Sequence, residues 1–185
     1  MSPDSSRPDI TEADVRAALD QLTRSRGELA GALDAIPEDA RERAPAGRWS
    51  AAQILEHLAR VDEGVAFLLR RGVPAGGPEA MEAPVDLSLM RERRRRVQAQ
   101  EHMRPTDDER WEGAWIRLVR TRVSLVEAVD AADPGVWGAV LGEHYIFGRL
   151  DGLHWLRLVS AHEERHAGQL RELAVELGVT PPAPG

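Results

Sequence analysis

A chain of 185 residues, 42% hydrophobic and 30% charged, has the make-up of one globular domain. That excludes a disordered chain, and no stretch nears the ~18 apolar residues a membrane helix needs. Cysteine is absent and the net charge is −7, which excludes disulfides, thiolate metal ligands and cysteine nucleophiles and argues against a nucleic-acid binder, since phosphate contacts need a basic face.

The pattern is helical almost throughout, and residues 1–185 read as one domain with a core of about 10–178 and short disordered tails. Thr11 and Asp14 form a capping arrangement. Val15, Leu19, Leu22, Leu29, Leu33 and Ile36 then recur at helical spacing until Pro37. A second helix starts at Ser50, with Gln53 closing a capping box and Trp49 and Ile54 at the positions of a hydrophobic staple. Ile54, Leu58, Val61, Val65 and Leu68 form its stripe, and Gly72 and Pro74 end it.

Residues 73–86, rich in Gly and Pro, read as a loop. Residues 87–102 read as a short extra helix that crosses the bundle end and breaks at Pro105. The basic run Arg91, Arg93, Arg94, Arg95 and Arg96 reads as a solvated face balanced by nearby acids. Thr106 to Glu109 reads as a capping box for a third long helix with Trp111, Trp115, Leu118, Leu125 and Val129 inside. Residues 136–148 read as an irregular connection, because neither Val140-Leu141 nor Tyr145-Ile146-Phe147 has a partner with matching alternation. A fourth helix spans about Leu150 to Leu177, before Gly178. The expected fold is an all-α, up-down four-helix bundle.

His162 and His166 are four residues apart on the inner stripe of that last helix, so both imidazoles point the same way. Buried rings need partners. A shared divalent metal satisfies both at once; hydrogen bonds to backbone or acids are the alternative. His57 falls within about 50° of the second helix's stripe at ~100° per residue. In a bundle it can meet the pair as a third neutral nitrogen ligand, leaving one coordination position open for water or substrate. Of the other histidines, His102 is expected in solvent, His154 in a structural role, and His144 in the connection at a pocket mouth.

His162 to His166 spells H-E-x-x-H, the zinc motif of many metalloproteases. The third ligand such an enzyme needs does not follow: Gln169 and Glu172 stand where the extended pattern has Gly and His. Glu172 and Glu176 continue along the helix away from the site, and no strand is at hand to align a peptide. Glu163 is rotated ~100° from His162, a supporting acid at most and not a general base. Arg149 and Arg165 are candidates for a substrate carboxylate, with exposed helix surface their expected place.

Trp49-Ser50 opening a helix that holds His57, the run Gly148-Arg149-Leu150-Asp151-Gly152-Leu153 and the closing His162-to-Leu170 segment together resemble the DinB/YfiT-like superfamily of metal-binding four-helix bundles. The resemblance covers residues 10–178. It implies His57, His162 and His166 as ligands of a divalent ion such as zinc or nickel, and a homodimer. It also implies a transferase that joins a low-molecular-weight thiol to an electrophilic substrate. A hydrolase using metal-bound water, and a non-catalytic bundle that binds a metal or ligand, are the alternatives on the same three histidines. The N-terminal MSPDSSRPDI lacks the apolar core of a secretory signal, and the expected location is the cytoplasm. No nucleic-acid or membrane partner is expected.

Overall fold

Two of the four long helices begin where their caps predict. In α1 (Glu12–Asp34) the Thr11 hydroxyl accepts from the Asp14 N–H, and the Asp14 carboxylate accepts from the Thr11 N–H. Ser50 and Gln53 repeat the exchange at the start of α2 (Ala51–Arg71), which Gly72 ends at φ +72°. These reciprocal bonds satisfy donors a helix start would leave orphaned. The computed structural model describes residues 10–81, 83, 85–94 and 97–178. Both tails, Arg95 and Arg96 lie outside the described residues.

The connection after α2 departs from expectation. Among the described residues it holds a single helical turn, α3 (Ser88–Arg91), and a 3₁₀ turn at Glu101–Met103. Arg165 donates to the carbonyls of Met90 and Glu92, tying the chain just past α3 to the last long helix. Thr106 does not cap a helix either. Its N–H and hydroxyl donate to the buried Glu56 carboxylate, at 2.7 and 3.2 Å. The next helix, α4 (Trp111–Asp130), starts five residues later, and its first N–H is taken by Glu42 at 3.0 Å. Trp115 faces outward at 39% exposure; Ala114, Leu118, Thr121, Leu125, Ala128 and Val129 form the inner face.

Residues 136–148 contain a hairpin rather than an irregular connection. Strand β1 (Val140–His144) pairs antiparallel with β2 (Gly148–Asp151), His144 opposite Gly148. Gly148 takes φ +69° after the three-residue loop 145–147, the left-handed turn such hairpins need. Asp151 is also the N-cap of α5 (Gly152–Glu176).

Helix α1 lies along α5 and α2 along α4, while α2 faces α5. Leu29, Ile36, Ile54, Leu55, Leu118, Leu125, Leu156, Leu170 and Leu173 are fully buried between them, each contributing roughly 1.5–3 kcal/mol by transfer from water. The result is the expected four-helix bundle with a small hairpin added. No helix among the described residues is long and apolar enough to cross a membrane.

Candidate metal centre

The cap at Ser50 sets the phase of α2 so that His57, two turns in, points at α5. The cap at Asp151 does the same for α5, where His162 and His166 lie one turn apart. The three imidazoles meet. His162 Nε2 lies 3.2 Å from His57 Nε2 and 3.2 Å from His166 Nε2, and the possible ligand atoms of the trio all lie within 4.8 Å of one another. A tetrahedral site with metal–nitrogen bonds of ~2.0–2.1 Å needs nitrogens about 3.3 Å apart.

The proton count favours a cation between them. His57 Nδ1–H donates to the Met103 carbonyl at 2.6 Å, so its Nε2 is a bare lone pair aimed at the cluster. His162 Nε2 presents either one N–H or one lone pair, so two good hydrogen bonds from it are impossible. The Nδ1 atoms of His162 and His166 are buried without a partner among the described residues. Hydrogen bonds within the protein leave the three Nε2 atoms under-satisfied, whereas one divalent ion takes all three of their lone pairs. Burial pushes His162 and His166 well below the ordinary histidine pKa, and the other trio members and Arg165 push the same way. Burial lowers His57 too, opposed by its bond to Met103. All three are neutral at neutral pH, the form a ligand requires.

The trio sits in a cavity of about 1280 Å³. Its roof is formed by residues from 90–94 and 97–107. Arg165 holds the segment at Glu92, His57 holds it at Met103, and the Tyr145 hydroxyl donates to the Gln98 carbonyl at 3.3 Å. Trp49 flanks the ligands, its ring 4.9 Å from that of His57 and stacked 6.3 Å from that of His166. Toward the hairpin the wall is apolar, from Val61, Val65, Leu68, Trp155 and Leu158.

The other candidates separate. His144 lines the cavity against Trp155, and burial drives its pKa to about 4. His102 is exposed at the roof. His154 is structural: its backbone N–H and Nδ1–H both donate to Asp151, at 2.8 and 2.7 Å. Arg149 pairs with Glu79 away from the cavity. Arg165, expected on the surface, is 8% exposed and lines the cavity. Glu172, expected to lead away, reaches the cavity rim, where Arg48 and Arg93 both bond it. The basic run is balanced as expected at Arg91, which pairs with Glu164, and at Arg93.

Glu163 does not support the ligands. It is 1% exposed and turned to a neighbouring face of α5, where it accepts from Ser25, Arg26 and Arg122 at 2.6, 2.7 and 3.1 Å. Arg122 and Arg26 also bond the buried Asp62. Sequence reasoning missed Trp49 as a neighbour of the ligands, although its place just before the α2 cap put it at the same end. It also missed the Met103 carbonyl, for which the sequence carries no signal.

A family model described as the DinB superfamily matches residues 21–170. The uncharacterized protein YuaE of Bacillus subtilis (strain 168) is 28% identical over 149 residues, 79% of this chain and 88% of that one. The crystal structure of TT2238, a four-helix bundle protein, matches with a TM-score of 0.58 and 24% identity over 85% of this chain and 98% of that chain, a likeness of fold.

Proposed function

The chain belongs to the DinB superfamily, and from that premise we propose a metal-dependent enzyme in which His57, His162 and His166 hold a divalent ion, zinc or nickel, and transfer a small thiol to an electrophile. The observation that carries this reading is the convergence of three neutral imidazoles, with His162 Nε2 3.2 Å from the Nε2 of each of the other two, in a cavity large enough for a substrate. A divalent ion there would lower the pKa of a coordinating thiol and hold it as thiolate near neutral pH. The protein's residues do the rest. Met103 fixes the His57 tautomer, Trp49 packs the imidazoles, and the roof segment shields the reacting atoms from water.

Hydrolysis would use the same three histidines but also needs a base. The acid that an H-E-x-x-H hydrolase uses for this is occupied here, since both Glu163 oxygens are bonded to Ser25, Arg26 and Arg122. That favours the transferase over the hydrolase. The test is a purified protein analysed for metal, then assayed with electrophiles in the presence and absence of a thiol. Bound zinc or nickel with thiol-dependent turnover is the expected result. Turnover without thiol overturns the transferase, and a protein that takes up no divalent ion overturns the metal centre.

A further inference from the structure

One face of α2 is given over to a single stretch of the roof. Gln53, Glu56, His57 and Arg60 stand at i, i+3, i+4 and i+7, the spacing that puts side chains on one side of a helix. Each of them bonds residues 102–106. The Gln53 amide donates to the Thr106 carbonyl at 3.0 Å, and the Glu56 carboxylate accepts from the Thr106 N–H and hydroxyl. His57 donates to the Met103 carbonyl, and Arg60 to the His102 carbonyl at 3.4 Å. Glu56 is itself held. It is buried, Arg60 bonds its other oxygen, and Arg117 stands 3.8 Å from that oxygen.

Thr106 and Met103 are stiffly joined. Pro105 between them has a fixed φ and favours an extended Arg104, which lies at φ −69° and ψ 141°. The N–H groups of Met103 and Arg104 close the turn on the carbonyls of Gln100 and Glu101. A displacement at Thr106 therefore reaches the Met103 carbonyl, and that carbonyl decides the state of one imidazole. It accepts only from Nδ1–H, which leaves Nε2 as a lone pair for the ion. Without it the proton is free to sit on Nε2 and block the ligand. His57 is the one member of the trio fixed in this way, since the Nδ1 atoms of His162 and His166 have no partner among the described residues.

We infer that Gln53 and Glu56 are positioning residues of the metal centre: they seat residues 102–106 on α2 so that the Met103 carbonyl holds His57 in its ligand tautomer. This rests on the metal reading above. Neither residue belongs to the trio, and both act through the seated stretch. The coupling runs both ways, because an ion on Nε2 selects the same tautomer and so strengthens the seat.

Gln53→Glu is the sharpest variant. A glutamate there still accepts from the Ser50 N–H and keeps the capping box, but it has no N–H for the Thr106 carbonyl and sets a carboxylate oxygen against it. Two quantities are read on the full chain at neutral pH. One is the tautomer of His57 in the metal-free protein, from long-range ¹H–¹⁵N correlations after ¹⁵N-histidine labelling. The other is Co²⁺ affinity by equilibrium dialysis. The wild type is expected to carry the His57 proton on Nδ1. Gln53→Glu and Glu56→Ala are expected to move a measurable share of it to Nε2 and to weaken Co²⁺ binding about tenfold. Thr11→Ala, which removes the α1 cap, is the control for lost stability alone and is expected to change neither. If Glu56→Ala does not fold, Gln53→Glu carries the same test. Co²⁺ binding as tight as in the wild type, or weaker binding with the His57 tautomer unchanged, overturns the inference while leaving the metal centre standing. A wild type that takes up no Co²⁺ overturns the metal centre itself, and this inference with it.

Discussion

His57 Nδ1–H and the Met103 carbonyl are joined across 2.6 Å, so one hydrogen bond links a candidate ligand on α2 to the roof of its own cavity. His57→Ala removes both the ligand and that tie, whereas His162→Ala removes a ligand alone. Both variants are expected to lose at least about 100-fold in metal affinity by equilibrium dialysis. Only His57→Ala is expected to speed tryptic cleavage at the roof arginines Arg93 and Arg94. Equal cleavage rates in the two variants would show that the bond does not hold the roof.

The pH dependence of the metal-free protein has a definite sign. Burial depresses the folded pKa values of His57, His162 and His166, and that of His144 to about 4. In the unfolded chain each takes a proton near pH 6.5. Stability from these groups is therefore fully present above about pH 6.5 and is lost as pH falls from there through the folded values. Urea midpoints at pH 7.5, 6.5 and 5.5, above the range where most carboxylates titrate, are expected to fall in that order. Metal release runs in the same direction, because protons compete for the ligands.

Glu163→Ala separates stability from metal binding. The substitution leaves Arg26 and Arg122 sharing one carboxylate of this network, Asp62. A cost of about 3 kcal/mol is expected from breaking this buried network, read as a lower urea midpoint, while metal uptake persists. Loss of metal without loss of stability would restore Glu163 to the metal centre.

Gly152 marks a backbone contact. A Cβ there would lie 2.6 Å from the Val136 carbonyl oxygen and 3.3 Å from the Trp137 Cα, and neither can swing aside as a flexible side chain would. Gly152→Ala is expected to cost about 1–3 kcal/mol. The thermal midpoint checks it, with Gly27→Ala, where a Cβ meets nothing within 4 Å, as the tolerant comparison.

What could be read from the sequence was what local chemistry encodes. The capping boxes at Thr11 and Ser50 act within four residues, and both formed. The same letters at Thr106 did not, because a buried carboxylate some fifty positions upstream, Glu56, outcompetes the local cap. Helical spacing brought His162 and His166 together, and the firm start of α2 placed His57 against them. The hairpin escaped because its strands are short and its pairing hinges on the single left-handed Gly148. The roof escaped because it is held by side chains from other helices, Arg165 and His57, and not by its own periodicity.

The buried network that takes Glu163 draws one side chain from each long helix: Arg26, Asp62, Arg122 and Glu163. It therefore acts as an alignment pin for the bundle. Sliding or rotating α5 by one residue would pull Glu163 from its sockets, and the same shift would swing His162 and His166 away from His57. The glutamate lodged between the two histidines is thus bonded away from them, yet it belongs to the network that keeps α5 in the register at which both imidazoles meet His57.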